Sequence, residues 1–254
     1  MMLKDKVAII TGAAQGIGAA FATGYAKEGA KVVIADIVDG SNTVDDVVKA
    51  GSEAIFVKTD VTIQDDCDAM VKAALDRFGT VDILVNNAAL YANIIKKPFE
   101  EITTEEWNRL MEVNATGPFH CTKSVFPVMR AKGGKVINVA SSVAFEGAAG
   151  MPHYVASKGA VVAFTRAMAR ELGAYNININ SLAPGYTQSD ASITIQKRRQ
   201  DDGPDPEQLM LQKRCLKRLE DPEDLVGTAI FLASAMSDFI TGQLILCDGG
   251  SFFH

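Results

Sequence analysis

The segment Thr11-Gly12-Ala13-Ala14-Gln15-Gly16-Ile17-Gly18 joins a short apolar run, Val7–Thr11, to a helical pattern over 17–28. A glycine-rich turn is informative when it follows an apolar strand and opens a helix. Glycines let the backbone turn tightly and approach a phosphate, and the first N–H groups of the helix then point at that phosphate. The segment therefore predicts a strand-turn-helix unit that binds a phosphate group. Its spacing, G-x-x-x-G-x-G, differs from G-x-G-x-x-G, and many helices begin at glycines, so the turn alone is weak evidence.

Apolar runs and helical patterns alternate along the rest of the chain. Further strands are predicted over 31–36, 54–58, 82–86, 135–139, 177–182 and 243–247. Further helices are predicted over 42–50, 65–78, 105–129, 152–172 and 222–233, with Thr103 or Thr104 as the N-cap of the 105–129 helix. Apolar strands separated by helices indicate a parallel sheet that is covered on both faces. We therefore predict an α/β fold: a single domain over 1–254 with a Rossmann-type doubly wound parallel sheet of about seven strands and helices on both faces.

Composition narrows the class of protein. The chain has 254 residues, 48% hydrophobic and 22% charged, which is typical of a globular protein with a large core. A net charge of -6 and a sequence pI near 5.2 argue against a nucleic-acid partner, and no apolar run reaches membrane-spanning length. The N-terminus lacks the apolar region of a signal peptide, and the four cysteines form no C-x-x-C pair, so we expect reduced thiols and a cytoplasmic protein. The three histidines lack metal-ligand spacing, and no metal is expected.

Tyr154 and Lys158 form a candidate proton-transfer pair. Residues i and i+4 share one face of a helix, so we expect the Lys158 ammonium near the Tyr154 phenol. An unperturbed phenol has a pKa of about 10, and a nearby positive charge favours the phenolate. The pair therefore predicts a lowered pKa for Tyr154 and a group that moves protons on and off an alcohol oxygen. A Tyr-x-x-x-Lys match also occurs on ordinary solvated helices, so it gains weight only beside the glycine-rich turn, which suggests that a dinucleotide carries a hydride.

Asp36 gives the first indication of which dinucleotide is bound. It ends the second predicted strand, eighteen residues after Gly18. A carboxylate there can accept hydrogen bonds from a ribose 2′-hydroxyl and would repel a 2′-phosphate. Positions 15 and 37 are Gln15 and Ile37, so neither carries an arginine to hold such a phosphate. NAD is therefore favoured over NADP, although an exposed residue at a strand end is the alternative interpretation.

These motifs and several others resemble, in order, those of the classical short-chain dehydrogenases/reductases over nearly the whole chain. The matching segments are Gly12, Gly16 and Gly18, then Asp60-Val61, Asn86-Asn87-Ala88-Ala89, Asn114, Ser141, Tyr154, Lys158 and Pro184-Gly185. Ser141 lies three residues after Asn138 and thirteen before Tyr154, and both spacings select it over Ser142. The chain departs from the family pattern at Ala89, where glycine is usual, and at Thr187 and Ser189, where a branched apolar residue and threonine are usual.

The resemblance implies a catalytic set of four residues. Ser141 would hold the substrate oxygen, and Tyr154 would exchange the proton. Lys158 would lower the pKa of Tyr154 and hold the nicotinamide ribose, and Asn114 would help hold a water that links Lys158 to solvent. The implied NAD contacts are Gly12, Gln15, Gly16, Ile17, Gly18, Asp36, Ile37, Asp60, Val61, Asn87, Ala88, Ala89, Tyr154, Lys158, Pro184, Gly185, Thr187 and Ser189.

The substrate is less well determined by the sequence. Besides Ser141, the candidate substrate contacts are Tyr91, Val143, His153 and Tyr186, with a substrate loop over about 186–220. Each of these side chains has core or surface packing as its alternative. A charged stretch over 196–206 is expected to be an exposed loop or the base of a lid. Its basic residues at 197–199 either attract an anionic substrate or form a solvated charge run.

The expected function is NAD-dependent hydride transfer between the nicotinamide and the CH–OH or C=O group of a small or medium secondary alcohol or ketone. A 3-oxoacyl-[acyl-carrier-protein] reductase is the alternative enzyme, and Asp36 argues against it because that activity usually goes with NADP. A non-catalytic dinucleotide sensor is the alternative from another class. Apolar residues on more than one side of the 105–129 and 152–172 helices, together with the resemblance, predict a homotetramer.

Overall fold

The computed structural model describes residues 1–92, 94–198 and 206–253 and contains a seven-stranded parallel sheet. The strands are β1 Val7–Thr11, β2 Lys31–Asp36, β3 Ala54–Lys58, β4 Ile83–Asn86, β5 Gly134–Val139, β6 Ile177–Pro184 and β7 Leu244–Cys247. The α-helices are α1 Gly16–Lys27, α2 Ser41–Lys49, α3 Gln64–Phe78, α4 Thr104–Met111, α5 Gly117–Arg130, α6 Val143–Glu146, α7 Pro152–Leu172, α8 Asp190–Arg198, α9 Pro206–Lys213 and α10 Pro222–Ala233. The predicted fold class is confirmed, and no helix among the described residues is both long and apolar enough to cross a membrane.

The strand order places a crevice above β1. The order is β3-β2-β1-β4-β5-β6-β7, so the chain winds outward in one direction from β1 to β3 and in the other from β4 to β7. Within β1, Ile10 pairs with Ile34 of β2 on one side and with Val85 of β4 on the other. Loops that leave the carboxyl ends of β1 and β4 therefore diverge to opposite faces, which is where doubly wound sheets bind ligands.

Alternate side chains of β1 enter two separate cores, one on each face of the sheet. Ala8 and Ile10 pack in the cluster that contains Phe21 of α1, whereas Ile9 packs in the cluster that contains Met70 of α3. All five side chains are fully buried. Each large one contributes about 1.5–3 kcal/mol by leaving water. Burial on both faces stabilises the sheet, and its carboxyl edge supports the loops above it.

The 105–129 helix predicted from the sequence is not uniform. Its N-cap is Thr103, whose hydroxyl accepts from the N–H of Glu106 while the Glu106 carboxylate accepts from the N–H of Thr103. After α4 the backbone makes a π-helical turn over Glu112–Thr116, and α5 then begins with Gly117 and Pro118. Proline has no N–H to donate, so the regular hydrogen-bond pattern cannot run through this point unchanged. The wide turn places Asn114 in its centre.

The charged stretch over 196–206, which the sequence predicts as an exposed loop or the base of a lid, is helical at both of its ends. Its first residues end α8 and its last residue begins α9, and neither helix was expected from the sequence. Positions 199–205 lie outside the described residues, as do Asn93 and His254.

Candidate active site

The predicted site residues converge on one cavity of about 1430 Å³ at the carboxyl edge of the sheet. Four predicted substrate contacts line it: Tyr91, Ser141, Val143 and Tyr186. Every predicted cofactor contact except Gly18 lines it as well: Gly12, Gln15, Gly16, Ile17, Asp36, Ile37, Asp60, Val61, Asn87, Ala88, Ala89, Tyr154, Lys158, Pro184, Gly185, Thr187 and Ser189. Gly18, Asn114 and His153 are not among the lining residues of the described chain.

The glycine-rich turn leaves the backbone open to a ligand. Gly12 and Gly16 have φ of +64° and +59°, in the left-handed region that side chains disfavour. Gly18 lies behind the turn, where a Cβ would be 2.3 Å from the carbonyl oxygen of Gly12. Asn87 donates its side-chain N–H groups to the carbonyl oxygens of Thr11, at 3.0 Å, and Gly12, at 2.9 Å. The loop after β4 therefore fixes the shape of the turn after β1.

Asp36 lies at the end of β2, and one of its carboxylate oxygens contacts this turn. One oxygen accepts from the N–H of Ala14 at 2.9 Å and the other from the N–H of Val38 at 3.2 Å. Farther along the cavity, burial raises the pKa of Asp60, but hydrogen bonds from Thr62 and the charge of Arg109 outweigh it and lower the pKa overall. Asp60 is therefore a charged acceptor in the cavity, and Asp36 is a carboxylate held by two backbone N–H groups.

Ser141, Tyr154 and Lys158 meet at the other end of the cavity. Lys158 is a buried residue of α7, and its Nζ donates to the carbonyl oxygen of Val139 at 2.8 Å. Burial lowers its pKa from 10.5 to about 8. Burial also raises the pKa of Tyr154 above its ordinary value, and the neighbouring Tyr91 adds to this, while a hydrogen bond with Ser141 opposes it.

The lowered pKa expected for Tyr154 is therefore wrong in direction. The Lys158 Nζ lies 5.9 Å from the centre of the Tyr154 ring and is directed at the backbone of β5. The ammonium does not reach the phenol closely enough to offset the loss of water around it. Helical spacing places both residues on one face of α7, but it cannot specify where the long lysine side chain points.

Asn114 connects two walls of the cavity from behind. Its carbonyl oxygen accepts from the N–H of Leu90 at 2.7 Å, and its amide donates to the carbonyl oxygen of Leu90 at 3.3 Å and to the Ser157 hydroxyl at 3.1 Å. Ser157 also donates to the carbonyl oxygen of Tyr154 at 2.8 Å. The π-helical turn thus ties the loop after β4 to the turn of α7 that carries the tyrosine.

The substrate end of the cavity contains a pair of aromatic rings. The rings of Tyr91 and Tyr154 lie 5.2 Å apart between centres. Burial and the nearby Tyr186 raise the pKa of Tyr91 to about 12, against the effect of a hydrogen bond with Ser192 of α8. The two tyrosines pack in one cluster with the apolar side chains of Ile94, Val143, Ala148 and Met151. Leu209, Met210 and Phe252 also line the cavity.

His153 is not part of this wall. It is a buried residue of α7, and its nearest charged groups are Glu106 of α4 and Lys97. Burial lowers the pKa of His153. The residue precedes Tyr154 directly, and successive helical residues point about 100° apart, so the two side chains cannot both face the cavity.

Sequence reasoning missed Arg109, Ser251 and Phe252, which also line the cavity. Ser251 and Phe252 follow Gly249 and Gly250, which come shortly after β7. Their N–H groups donate to the buried carboxylate of Asp248, at 3.2 Å and 3.0 Å, and this turns the C-terminus back over the cavity. The turn itself is local, but no motif in the sequence shows that the residues after it reach the cavity.

Comparison with known proteins agrees with this arrangement. A family model described as enoyl-(acyl carrier protein) reductase matches residues 12–251. The chain is 40% identical over 258 residues to galactitol 2-dehydrogenase of Agrobacterium fabrum, covering 99% of each chain. It is 36% identical to 2-dehydro-3-deoxy-D-gluconate 5-dehydrogenase of Dickeya dadantii, covering 98% of this chain and 96% of that one.

Two solved structures are also similar. Levodione reductase has a TM-score of 0.92 at 29% identity and 98% coverage of both chains. A short-chain type dehydrogenase/reductase from Mycobacterium marinum has a TM-score of 0.89 at 32% identity, with 99% of this chain and 97% of that one covered. The chain therefore belongs to the classical short-chain dehydrogenase/reductase family of oxidoreductases, which bind a nicotinamide cofactor.

Proposed function

We propose that the chain is an NAD-dependent dehydrogenase that transfers a hydride between the nicotinamide and the CH–OH or C=O carbon of a small or medium secondary alcohol or ketone. The observation that carries this proposal is the position of Ser141, Tyr154 and Lys158 at one end of a cavity whose other end contains Asp36. The cavity is continuous between them, so one dinucleotide can reach from the carboxylate to the tyrosine.

The residues present fit the cofactor. A Cβ at Gly12 would lie 2.7 Å from the Cα of Ala88, so glycine lets the turn after β1 pack closely on the loop after β4. At Gly16 a Cβ would meet no atom closer than 3.8 Å, so the backbone there is open to the cavity for a pyrophosphate. The first N–H groups of α1 would face the phosphates, and Asp36 would accept from a ribose hydroxyl. Lys158 and Tyr154 would hold the second ribose, and the loop over 184–189 would border the nicotinamide. When bound there, the cofactor supplies the hydride acceptor or donor.

Asp36 is the basis for proposing NAD in place of NADP. Its carboxylate already accepts two backbone N–H groups, which fixes its position. A 2′-phosphate brought to this point would meet a fixed negative charge and would lose its hydration. The next two lining residues, Ile37 and Val38, carry no positive charge that could bind the 2′-phosphate.

Proton transfer is assigned to Tyr154. Its raised pKa keeps the phenol protonated at neutral pH, so it can act as the general acid toward the oxygen of a ketone that is being reduced. In the oxidising direction the phenolate is required, and the Lys158 ammonium, 5.9 Å from the ring centre, favours it without offsetting the effect of burial. Ser141 hydrogen-bonds the substrate oxygen and orients it toward the phenol.

The lining of the substrate end of the cavity supports this substrate class. Apolar side chains predominate there, with the hydroxyl groups of Tyr91, Tyr186 and Ser192 at intervals. This lining suits a compact carbon skeleton with one or more further oxygens, which includes alicyclic alcohols and sugar-like polyols. A 3-oxoacyl thioester is the second candidate, since 3-oxoacyl-[acyl-carrier-protein] reductase of Synechocystis is 34% identical over 254 residues. Its usual NADP cofactor is disfavoured by Asp36.

The assembly we propose is a homotetramer in the cytoplasm. Trp107 of α4, Phe119 of α5 and Phe253 near the C-terminus are exposed. Large exposed apolar groups on the helices and near the C-terminus suit contacts with identical copies. All four cysteines are free thiols, which fits a reducing compartment.

The experiment that tests the reaction is a spectrophotometric screen. Absorbance of the reduced nicotinamide is followed with polyols, alicyclic alcohols and aromatic secondary alcohols, each with NAD and with NADP. The reverse reaction is followed with ketones and a 3-oxoacyl thioester. We expect a secondary alcohol with NAD to give the highest kcat/KM. A 3-oxoacyl thioester with NADPH as the best pair would contradict the proposal, and binding without turnover would indicate a sensor.

A further inference from the structure

A buried ion pair lies directly beneath the loop that follows β6. Arg214 and Glu220 are 2% and 4% exposed. One Glu220 oxygen accepts from the Thr187 hydroxyl at 2.7 Å and from the N–H of Gly185 at 3.2 Å, and the other accepts from Nη2 of Arg214 at 3.4 Å. Gly185 and Thr187 both line the cavity, so a single buried carboxylate holds this loop in place at two points.

The Arg214 guanidinium extends the same network to the substrate side. Its Nη2 donates to the carbonyl oxygen of Tyr186 at 3.1 Å, and its Nη1 donates to that of Arg218 at 3.0 Å. The N–H of Arg214 donates to the carbonyl oxygen of Met210 in α9 at 2.9 Å. Tyr186 and Met210 both line the cavity, one on the loop after β6 and one on α9. The backbone of Arg214 therefore continues α9, and only its side chain reaches the loop after β6, so the side chain is the link between these two walls.

The C-terminal wall of the cavity packs against the aliphatic part of the Arg214 side chain. A Cβ at Gly249 would lie 2.6 Å from Cδ of Arg214, so the turn before Ser251 and Phe252 is pressed against this side chain. The N–H groups of Cys215 and Leu216 also donate to the carbonyl oxygens of Gly250 and Gly249, at 3.2 Å and 2.9 Å. The C-terminal wall of the cavity is thereby aligned with α9.

Stability alone does not account for these charges. Taking two ions out of water costs several kcal/mol, and an apolar pair of similar volume is often as stable or more so. The Nε of Arg214 is buried without a hydrogen-bond partner in the described chain, which adds to the cost. The backbone also joins the same segments independently, because the N–H of Gln188 donates to the carbonyl oxygen of Glu220 at 2.7 Å.

We propose that Arg214 and Glu220 are a positioning pair that sets the geometry of the nicotinamide-side loop relative to the substrate-side walls. The pair touches neither reacting atom; it acts through Gly185, Thr187 and Tyr186. Directional hydrogen bonds from two fixed charges define the loop position more narrowly than apolar packing does. The proposal rests on the proposed hydride transfer, since its purpose is to hold the substrate carbon close to the carbon that exchanges the hydride.

The test compares three variants with a matched control. Glu220→Gln keeps the size and one acceptor oxygen, Arg214→Lys keeps the charge but not the fork of donors, and the double variant Arg214→Met/Glu220→Met replaces the pair by apolar groups. Arg218→Met, which breaks the exposed pair with Asp224 close by in the chain, is the control. For each we measure kcat, KM for the best alcohol of the screen, and the primary deuterium isotope effect on kcat/KM.

We expect kcat/KM to fall roughly 10- to 100-fold in all three variants, with a higher KM and an increased isotope effect, because hydride transfer becomes slower relative to binding. The double variant should melt within a few degrees of the wild type and still remain slow. A pair that only supports folding would lower the active fraction, and hence kcat, but would leave KM and the isotope effect unchanged. Kinetics matching those of Arg218→Met in Glu220→Gln or in the folded double variant would overturn the proposal.

Hydrogen exchange separates this proposal from the proposed function. In the positioning account, backbone amides over 185–189 exchange faster in Glu220→Gln than in the wild type, whether or not any alcohol is oxidised. Unchanged exchange there would refute the positioning pair. A wild type that oxidises no alcohol but shows the faster exchange in Glu220→Gln would refute the reaction and leave the pair supported.

Discussion

Replacing the buried Lys158 by methionine should make the protein more stable at neutral pH while impairing turnover. The structure lowers the pKa of Lys158 from 10.5 to about 8 by burial. Each pKa unit corresponds to about 1.4 kcal/mol, so keeping this lysine charged in the folded protein costs about 3.5 kcal/mol. Methionine removes that cost. It also removes the charge-assisted hydrogen bond to the carbonyl oxygen of Val139, worth about 2 kcal/mol. The net gain in the free energy of unfolding is about 1.5 kcal/mol.

The pH dependence makes this prediction specific. An unfolded lysine keeps its proton up to about pH 10.5, whereas folded Lys158 releases it near pH 8. Unfolding therefore takes up a proton between these values, and the wild type gains stability as the pH rises through that range. Lys158→Met lacks the gain. The variant should be more stable than the wild type at pH 7, equal to it near pH 9, and less stable at pH 10.

The assay is thermal unfolding at a fixed protein concentration from pH 7 to pH 10. A gain of about 1.5 kcal/mol raises the Tm by roughly 3–6 °C in a chain of this length. Lys123→Met, on the exposed side of α5, is the matched control and should follow the wild type at every pH. A lower Tm for Lys158→Met at pH 7, or a difference from the wild type that does not change with pH, would refute the reasoning.

Three further predictions concern the cofactor and the assembly. Asp36→Ala should weaken NAD binding roughly tenfold and reduce the preference for NAD over NADP, because the variant loses both an acceptor for the ribose hydroxyl and a charge that repels the 2′-phosphate. The preference is measured as kcat/KM with each cofactor, and an unchanged preference would contradict the assignment. Gly18→Ala should abolish NAD binding in calorimetry, since its Cβ would lie 2.3 Å from the Gly12 oxygen, whereas Gly159→Ala, which meets no atom within 4 Å, should bind normally. Light scattering should give about four times the chain mass of 27.1 kDa, and a value near 27 kDa at micromolar concentration would exclude the tetramer.

The sheet could be predicted from the sequence because its signals are local. Apolar runs such as Val7–Thr11 end at glycines or polar residues, and burial on both faces makes such runs continuous. The order of motifs then placed Ser141, Tyr154 and Lys158 at one edge of the sheet. The N-cap before α4 was narrowed to two threonines, and the reciprocal hydrogen bonds with Glu106 select Thr103.

The sequence could not predict features that depend on long-range packing. Whether Lys158 points at Tyr154 or at Val139 is decided by the space between α7 and β5. The orientation of His153 toward Glu106, the π-helical turn around Asn114, and the pairing of Arg214 with Glu220 likewise depend on neighbours distant in the chain. Helices α8 and α9 carry short mixed patterns, so their apolar residues gave no clear periodicity.

The central claim is that Tyr154 transfers a proton while a hydride passes to NAD, and isotope transfer tests it most directly. The best alcohol of the screen, deuterated at the carbinol carbon, is incubated with NAD and the enzyme, and the reduced cofactor is analysed by mass spectrometry. We predict one deuterium in the reduced cofactor, and a rate at least about a hundredfold lower for Tyr154→Phe, which keeps the ring but lacks the exchangeable proton. Reduced cofactor without deuterium, or near-normal turnover in Tyr154→Phe, would contradict the account.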